Sequence, residues 1–158
     1  MKKNNVLFTT QAAMIAALYV VLTFLSNALG LANGAIQLRL SEALTVLPFF
    51  TPAAIPGLFT GCLISNMLTG CAPFDILFGS LATLLGAVGT RVMRKSKWLA
   101  PVSPIIANTL IIPFVLMYVY ELPGGIFYFM LTVGIGEILS CGVLGLLLLQ
   151  TLSKTNIF

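Results

Sequence analysis

Runs of about twenty apolar residues follow one another from Leu7 to Leu152 with only short breaks, which constrains the fold more than any motif does. A bilayer crossing takes ~20 apolar residues, so about five or six crossings fill the chain. Charged residues make up 8% of the sequence, against about 25% in a soluble domain, and mean hydropathy is +1.07. The expected fold is an all-α membrane protein built as one domain over residues 1–158, with no room for a soluble catalytic unit.

The composition excludes several functions. The eight basic residues sit in short clusters beside apolar runs and read as topology determinants, so the net charge of +4 is no nucleic-acid signal. Cys62, Cys71 and Cys141 are widely spaced, no CxxC pair occurs and histidine is absent, so neither a metal site nor a cysteine–histidine nucleophile is expected. No phosphate-binding GxxxxGK[ST] loop is present, so any ATP-driven step needs another subunit, and no cofactor is expected. Lys2-Lys3 ahead of an apolar run looks like a signal peptide, but the run is longer than an h-region and reads as a retained first span.

Span 1 is expected over Leu7–Leu29. It contains two overlapping small-xxx-small pairs, Ala12/Ala16 and Ala13/Ala17, suited to close helix approach either within the chain or with another subunit. Asn33-Gly34 signals a turn. Pro48, Pro52 and Pro56 break any continuous helix through that region. A helix resumes from Leu58 to Leu68, and Gly70-Cys71-Ala72-Pro73 marks the next break. Further spans follow over Phe74–Val92, Leu99–Tyr120 and Ile126–Leu152, with Glu121–Gly125 as a turn.

Positive-inside orientation places Lys2, Lys3, the cluster Arg91, Arg94, Lys95, Lys97 and Lys154 in the cytoplasm. Span 1 then exits, and the Arg91 cluster ends an inward-running span. The segment Ile36–Leu68 must therefore cross twice or not at all. Two crossings give six helices with both termini cytoplasmic and a short, broken second–third hairpin whose turn, Pro48–Pro56, lies near the inner side. Its first leg, Gln37–Leu47, covers only ~16 Å as an α-helix, short of a ~30 Å core.

Within this topology Arg39 is the one basic residue on the outer side. Glu42, Asp75 and Glu121 join it there, while Glu137 lies ~16 Å down the last helix. An ionisable group at such depth is costly and commonly marks a site. Arg39 and Glu42 are spaced to share a helix face, as an outer wall. Asn108, beside the carbonyl that Pro113 frees at Thr109, and Asn66 add amides. Gly134, Ser140 and Cys141 give Glu137 a small-residue face. Together they outline a pocket open to the outside and suited to a flat ligand with several N–H donors. Tyr118, Tyr120 and Tyr128 read as an interfacial aromatic belt and Trp98 as an inner anchor.

The run Arg39-Leu-Ser-Glu42-Ala-Leu-Thr-Val-Leu-Pro48-Phe-Phe-Thr-Pro52-Ala-Ala-Ile-Pro56-Gly-Leu-Phe resembles the signature of the QueT family, as do Asp75-Ile-Leu-Phe-Gly-Ser-Leu-Ala-Thr-Leu and Gly134-Ile-Gly-Glu137. The resemblance implies a substrate-binding (S) component of an energy-coupling factor (ECF) transporter in a bacterial cell membrane. Its partners would be a transmembrane T subunit and two cytoplasmic ATPases. The ligand would be a 7-deazaguanine queuosine precursor (preQ1, preQ0 or queuine). The resemblance also turns Ala12, Ala13, Ala16 and Ala17 towards the T subunit. On this reading Glu137 accepts the N–H groups of the guanine-like edge, and Glu42 or Asp75 faces an aminomethyl cation. Asn66 and Asn108 read other ring groups, while Arg39 orients Glu42 or bonds the ring carbonyl. The competing readings are a stand-alone carrier, an S component for another vitamin-like molecule, and an intramembrane enzyme with Glu137 as base.

Overall fold

The computed structural model describes residues 2–32 and 36–155, with the side chains of Lys2 and Lys3 excepted, and all secondary structure among them is helical. The Asn33-Gly34 turn lies outside the described residues. α1 (Lys2–Ala28) leads into a ten-residue 3₁₀ helix (Leu40–Phe49), then α2 (Ala54–Leu68), α3 (Pro73–Val92) and α4 (Val102–Tyr118). α5 (Ile126–Glu137), a π-helical stretch (Ile138–Leu144) and α6 (Gly145–Thr155) run on as one 30-residue rod. Asn4–Ala28, Pro73–Val92, Lys97–Tyr118 and Ile126–Thr155 are long and apolar enough to cross a membrane; Leu40–Phe49 and Ala54–Leu68 are apolar but shorter. This is a multi-pass membrane architecture.

The centre of the bundle is the 3₁₀ helix, which packs against α1, α2, α3, the π-helical stretch and α6. Ser41, Glu42, Leu44, Thr45, Val46, Leu47 and Pro48 are all buried in it. Runs of 3₁₀ helix this long are uncommon because their hydrogen bonds are poorly aligned. Side chains reinforce this one. The Thr45 hydroxyl donates to the Glu42 carbonyl at 2.6 Å, and Cys141 Sγ lies 3.4 Å from the same oxygen. At the far end Arg91 Nη1 donates to the carbonyls of Pro48 and Phe49, at 3.2 and 3.4 Å. The steeper rise of a 3₁₀ helix, ~2.0 Å per residue, carries ten residues ~20 Å, further than an α-helix of that length.

The proline-rich turn closes on the end of the bundle that holds the basic cluster. Arg91 grips its start, and Thr51 donates to Gln11 of α1 at 2.9 Å. Pro48 is accommodated inside the 3₁₀ helix, Pro52 lies in the turn, and Pro56 falls in the first turn of α2, where a missing N–H costs little. The opposite end carries the Gly70–Ala72 break, with Gly70 at φ +73°, and Pro73 as the first residue of α3.

α2 lies close along α1 because Gly57 and Gly61 face it. A Cβ at Gly57 would sit 2.7 Å from the Ala12 carbonyl oxygen, and one at Gly61 3.0 Å from the Ala16 Cα. The close approach made by the Ala12/Ala16 pair is therefore to α2 of the same chain. Ala13 and Ala17, one residue on, are exposed.

Candidate ligand-binding cavity

An extended strap, residues 37–39, carries the chain from the connection after α1 into the 3₁₀ helix. Hydroxyls pin it on both sides: Arg39 N–H donates to Ser140 at 3.2 Å and Leu40 N–H to Ser26 at 2.8 Å. Where it crosses α5 it meets Gly136, whose missing side chain makes room for the Gln37 carbonyl. Ser140 and Cys141 of the small-residue face around Glu137 thus receive the strap and the 3₁₀ helix, while Gly134 faces Thr109 of α4.

This arrangement alters the expected Arg39–Glu42 pair. Arg39 precedes the helix in an extended conformation (φ −106°, ψ 108°), so the one-face spacing does not apply to it. Glu42 is not an outer wall. It is 2% exposed, in the middle of the bundle, because the 3₁₀ helix turns inward immediately after Arg39. Its carboxylate accepts hydrogen bonds from the Tyr19 hydroxyl and from Asn108 Nδ2, the latter at 3.5 Å. Glu42 and Glu137 are neighbours: one donor atom each of Glu42, Glu137 and Cys141 lie within 4.8 Å of one another. Glu137 accepts from the Cys141 thiol at 3.1 Å.

Two adjacent spaces lie around this centre. The inner cleft, about 30 Å³, is lined by Gln37, Arg39, Glu42, Asn108 and Glu137 with Gly79, Thr83, Ile112 and Val133. The outer chamber, about 320 Å³, takes Arg39, Gln37, Asn66 and Asp75 with Asn27, Thr69 and Tyr120, and its apolar wall includes Ile112, Leu116 and Leu122. Gln37, Arg39 and Ile112 belong to both. A further space of about 200 Å³, with Tyr128 and Phe129, adjoins at Gln37, Leu116 and Leu122. Arg39, Glu42, Asn108 and Glu137 thus meet at one cleft, and Asn66 and Asp75 meet one layer out.

Asp75 is 6% exposed and accepts a 2.7 Å hydrogen bond from Tyr120, whose hydroxyl in turn accepts the Ala72 N–H at 3.2 Å. Partial burial and the neighbouring carboxylate push the Tyr120 hydroxyl above its ordinary range, so it remains a donor at neutral pH. Asn66 is buried, and its amide lies 3.7 Å from Cys62 Sγ. Tyr118 is 69% exposed, as an outward belt residue would be, while Tyr120 belongs to the cavity.

Tyr19, Gln37 and Thr83 were not expected at the site. Tyr19 had a legible signal: a hydroxyl-bearing aromatic in the middle of a span, away from the interfaces where belts form. Gln37 had none, because a strap has no periodicity. As a metal centre the trio Glu42, Glu137 and Cys141 fits poorly. A tetrahedral site takes four ligands, and both Glu42 oxygens already accept hydrogen bonds.

The cavity can offer carboxylate acceptors, amides and one guanidinium to a small polar ligand. The chain is similar to the "Queuosine precursor transporter QueT" of Lactococcus lactis subsp. cremoris (strain MG1363), with 38% identity over 85 residues, 54% of this chain and 50% of that protein. The match spans half of that relative's length. No solved structure matches. The profile of the family described as QueT transporter matches residues 9–154, nearly the whole chain, and the chain belongs to that family.

Proposed function

We propose that this chain is the S component of an ECF-type importer, which binds a 7-deazaguanine queuosine precursor from outside the cell. The observation that carries the reading is the polar cavity itself. It gathers Glu42, Glu137, Asn108, Arg39, Asn66 and Asp75 in an otherwise apolar bundle. Buried acids and amides in such a setting are costly unless they serve a ligand or each other. A guanine-like edge presents an N–H and an NH₂, which one carboxylate accepts together. The name of the Lactococcus relative points to the same ligand class.

The short helices Leu40–Phe49 and Ala54–Leu68 complete six crossings, with both termini in the cytoplasm. Support comes from the Pro48 end of the hairpin, which Arg91 holds beside the basic cluster. The cavity then opens outward, near Tyr120 and Asp75. ATP hydrolysis falls to two ATPase subunits, linked through a T subunit.

Purified protein is expected to bind a 7-deazaguanine with one-to-one stoichiometry in calorimetry and to release it unchanged, as mass spectrometry of the ligand checks. No binding of any 7-deazaguanine overturns the ligand class. Chemical turnover favours an enzyme, and vesicle uptake without ATPase partners favours a stand-alone carrier. Ala13 and Ala17 are the exposed small pair left to meet a T subunit, since Ala12 and Ala16 face α2. Ala17→Leu is expected to reduce copurification of the T subunit while ligand affinity stays within about twofold; unchanged copurification would take this face out of the interface.

A further inference from the structure

The end of the bundle away from the cavity mouth carries a second kind of surface. Residues 93–101 join α3 to α4 there, and the fold holds this connection in one shape. The two helices meet closely, with Gly86 against Pro104 and Gly89 against Ser103. Thr90 donates to the Ala100 carbonyl at 2.8 Å, and the Ser96 N–H to the Met93 carbonyl at 3.2 Å. Ala100 is fully buried against Val46 and Leu149.

Between these fastenings Arg94, Lys95 and Lys97 are exposed. Arg91, the fourth cation of the cluster, turns inward onto the carbonyls of Pro48 and Phe49. The chain has four acidic residues, and none is at this end. Glu42 and Glu137 line the inner cleft, Asp75 is in the first turn of α3, and Glu121 lies beyond the far end of α4. The three charges therefore have no side-chain carboxylate to balance them. Apolar groups are interleaved with them: Trp98 is 69% exposed, and Val92 and Leu99 are exposed as well.

Unbalanced cations and an exposed indole at the end of a membrane span match the headgroup layer, where anionic phosphodiesters meet hydrocarbon. An acidic protein would answer the charge alone. Val92 ends the α3 span and Leu99 precedes α4, so their exposed side chains face hydrocarbon rather than a partner in water.

We propose that the α3–α4 connection is a binding site for an anionic phospholipid in the leaflet at this end of the bundle. Arg94, Lys95 and Lys97 surround its headgroup, Trp98 sits at the boundary, and Val92 and Leu99 lie against its acyl chains. A zwitterionic lipid offers the same phosphate but cancels it with its own ammonium, so the site prefers a net negative headgroup. A Lys or Arg close to an anionic surface is worth about fivefold in attraction. Neighbouring zwitterionic lipids compete for the same space, and the net preference is expected to be at least about threefold.

Trp98 is the single tryptophan of the chain, so its fluorescence reads this site directly. The test is quenching in phosphatidylcholine vesicles by added phosphatidylglycerol or phosphatidylcholine brominated high in the acyl chain. At equal mole fraction, the brominated phosphatidylglycerol is expected to occupy the Trp98 contact at least about threefold more strongly. The preference should fall towards one in 1 M salt, where the screening length is about 3 Å. It should fall likewise in the triple variant Arg94→Gln, Lys95→Gln, Lys97→Gln. Equal quenching by the two lipids in the wild type overturns the proposal, and so does a preference that survives the salt or all three substitutions. Quenching by neither lipid places Trp98 outside the bilayer and gives the surface to a water-facing partner, which also overturns it. Should the variant insert wrongly, because these cations also orient the chain, the wild-type comparison and its salt dependence still decide.

Discussion

Glu137→Gln is expected to weaken binding of the 7-deazaguanine by ~1.5–3 kcal/mol, the usual worth of a hydrogen bond to a charged group. That is about ten- to 150-fold in the dissociation constant. The substitution suits the question because it keeps the shape of the side chain while removing its charge and turning one acceptor oxygen into an N–H donor. Glu137 is also the better of the two glutamates to probe. Both Glu42 oxygens accept from protein groups, Tyr19 and Asn108, so truncating Glu42 strands a buried hydroxyl and a buried amide as well. Glu137 faces the Cys141 thiol, a weak donor, at Oε2 and shares the Asn108 amide with Glu42, which leaves its carboxylate with capacity for a ligand. Equilibrium binding read with a melting curve of the same preparation separates the two causes. A loss of affinity with an unchanged melting temperature belongs to the ligand contact, and unchanged affinity would remove Glu137 from the site.

The difference between these two acids also marks where sequence reasoning ended. Glu137 could be placed in depth because it sits on a long, regular helix, where counting residues from the Gly125 break is a distance measurement. The breaks at Pro48–Pro56 and Gly70–Pro73 were legible for the same kind of reason, since proline and glycine act locally. Glu42 was placed wrongly because its position depends on a strap and on a 3₁₀ helix. A 3₁₀ segment differs from an α-helix in rise and in side-chain direction, and nothing in composition separates the two. Arg39 shares that uncertainty: read as helical it pairs with Glu42, but as an extended residue it bridges the two cavities. The partner of the Ala12/Ala16 pair was undecidable without the glycines opposite, because small-xxx-small spacing says that something comes close and not what does.

Gly136→Ala is expected to be the most damaging single-methyl change in the cavity wall, and its sign runs against helix propensity. In a helix interior alanine is favoured over glycine by about 0.8–1.0 kcal/mol, so at an open position the change would stabilise. Gly134, two residues earlier, is such a position: a Cβ there meets only Thr109 side-chain atoms at 3.6 Å, ordinary contact. At Gly136 the same Cβ falls 2.2 Å from the Gln37 carbonyl oxygen and 3.3 Å from its carbon. These are backbone atoms, and the strap that carries them cannot swing aside. It is held by Ser140 on one side and by Ser26 on the other, through the N–H groups of Arg39 and Leu40. Relief therefore requires breaking those bonds or separating α5 from the 3₁₀ helix. Overpacking of this kind costs ~1–3 kcal/mol or more, which outweighs the propensity gain. Because the displaced strap carries Gln37 and Arg39, which line both spaces, ligand affinity should fall together with the melting temperature. Gly134→Ala, measured alongside, should leave both unchanged or slightly improved. If Gly136→Ala melts with the wild type and binds as well, the strap does not press on α5, and the inner cleft is wider than its 30 Å³.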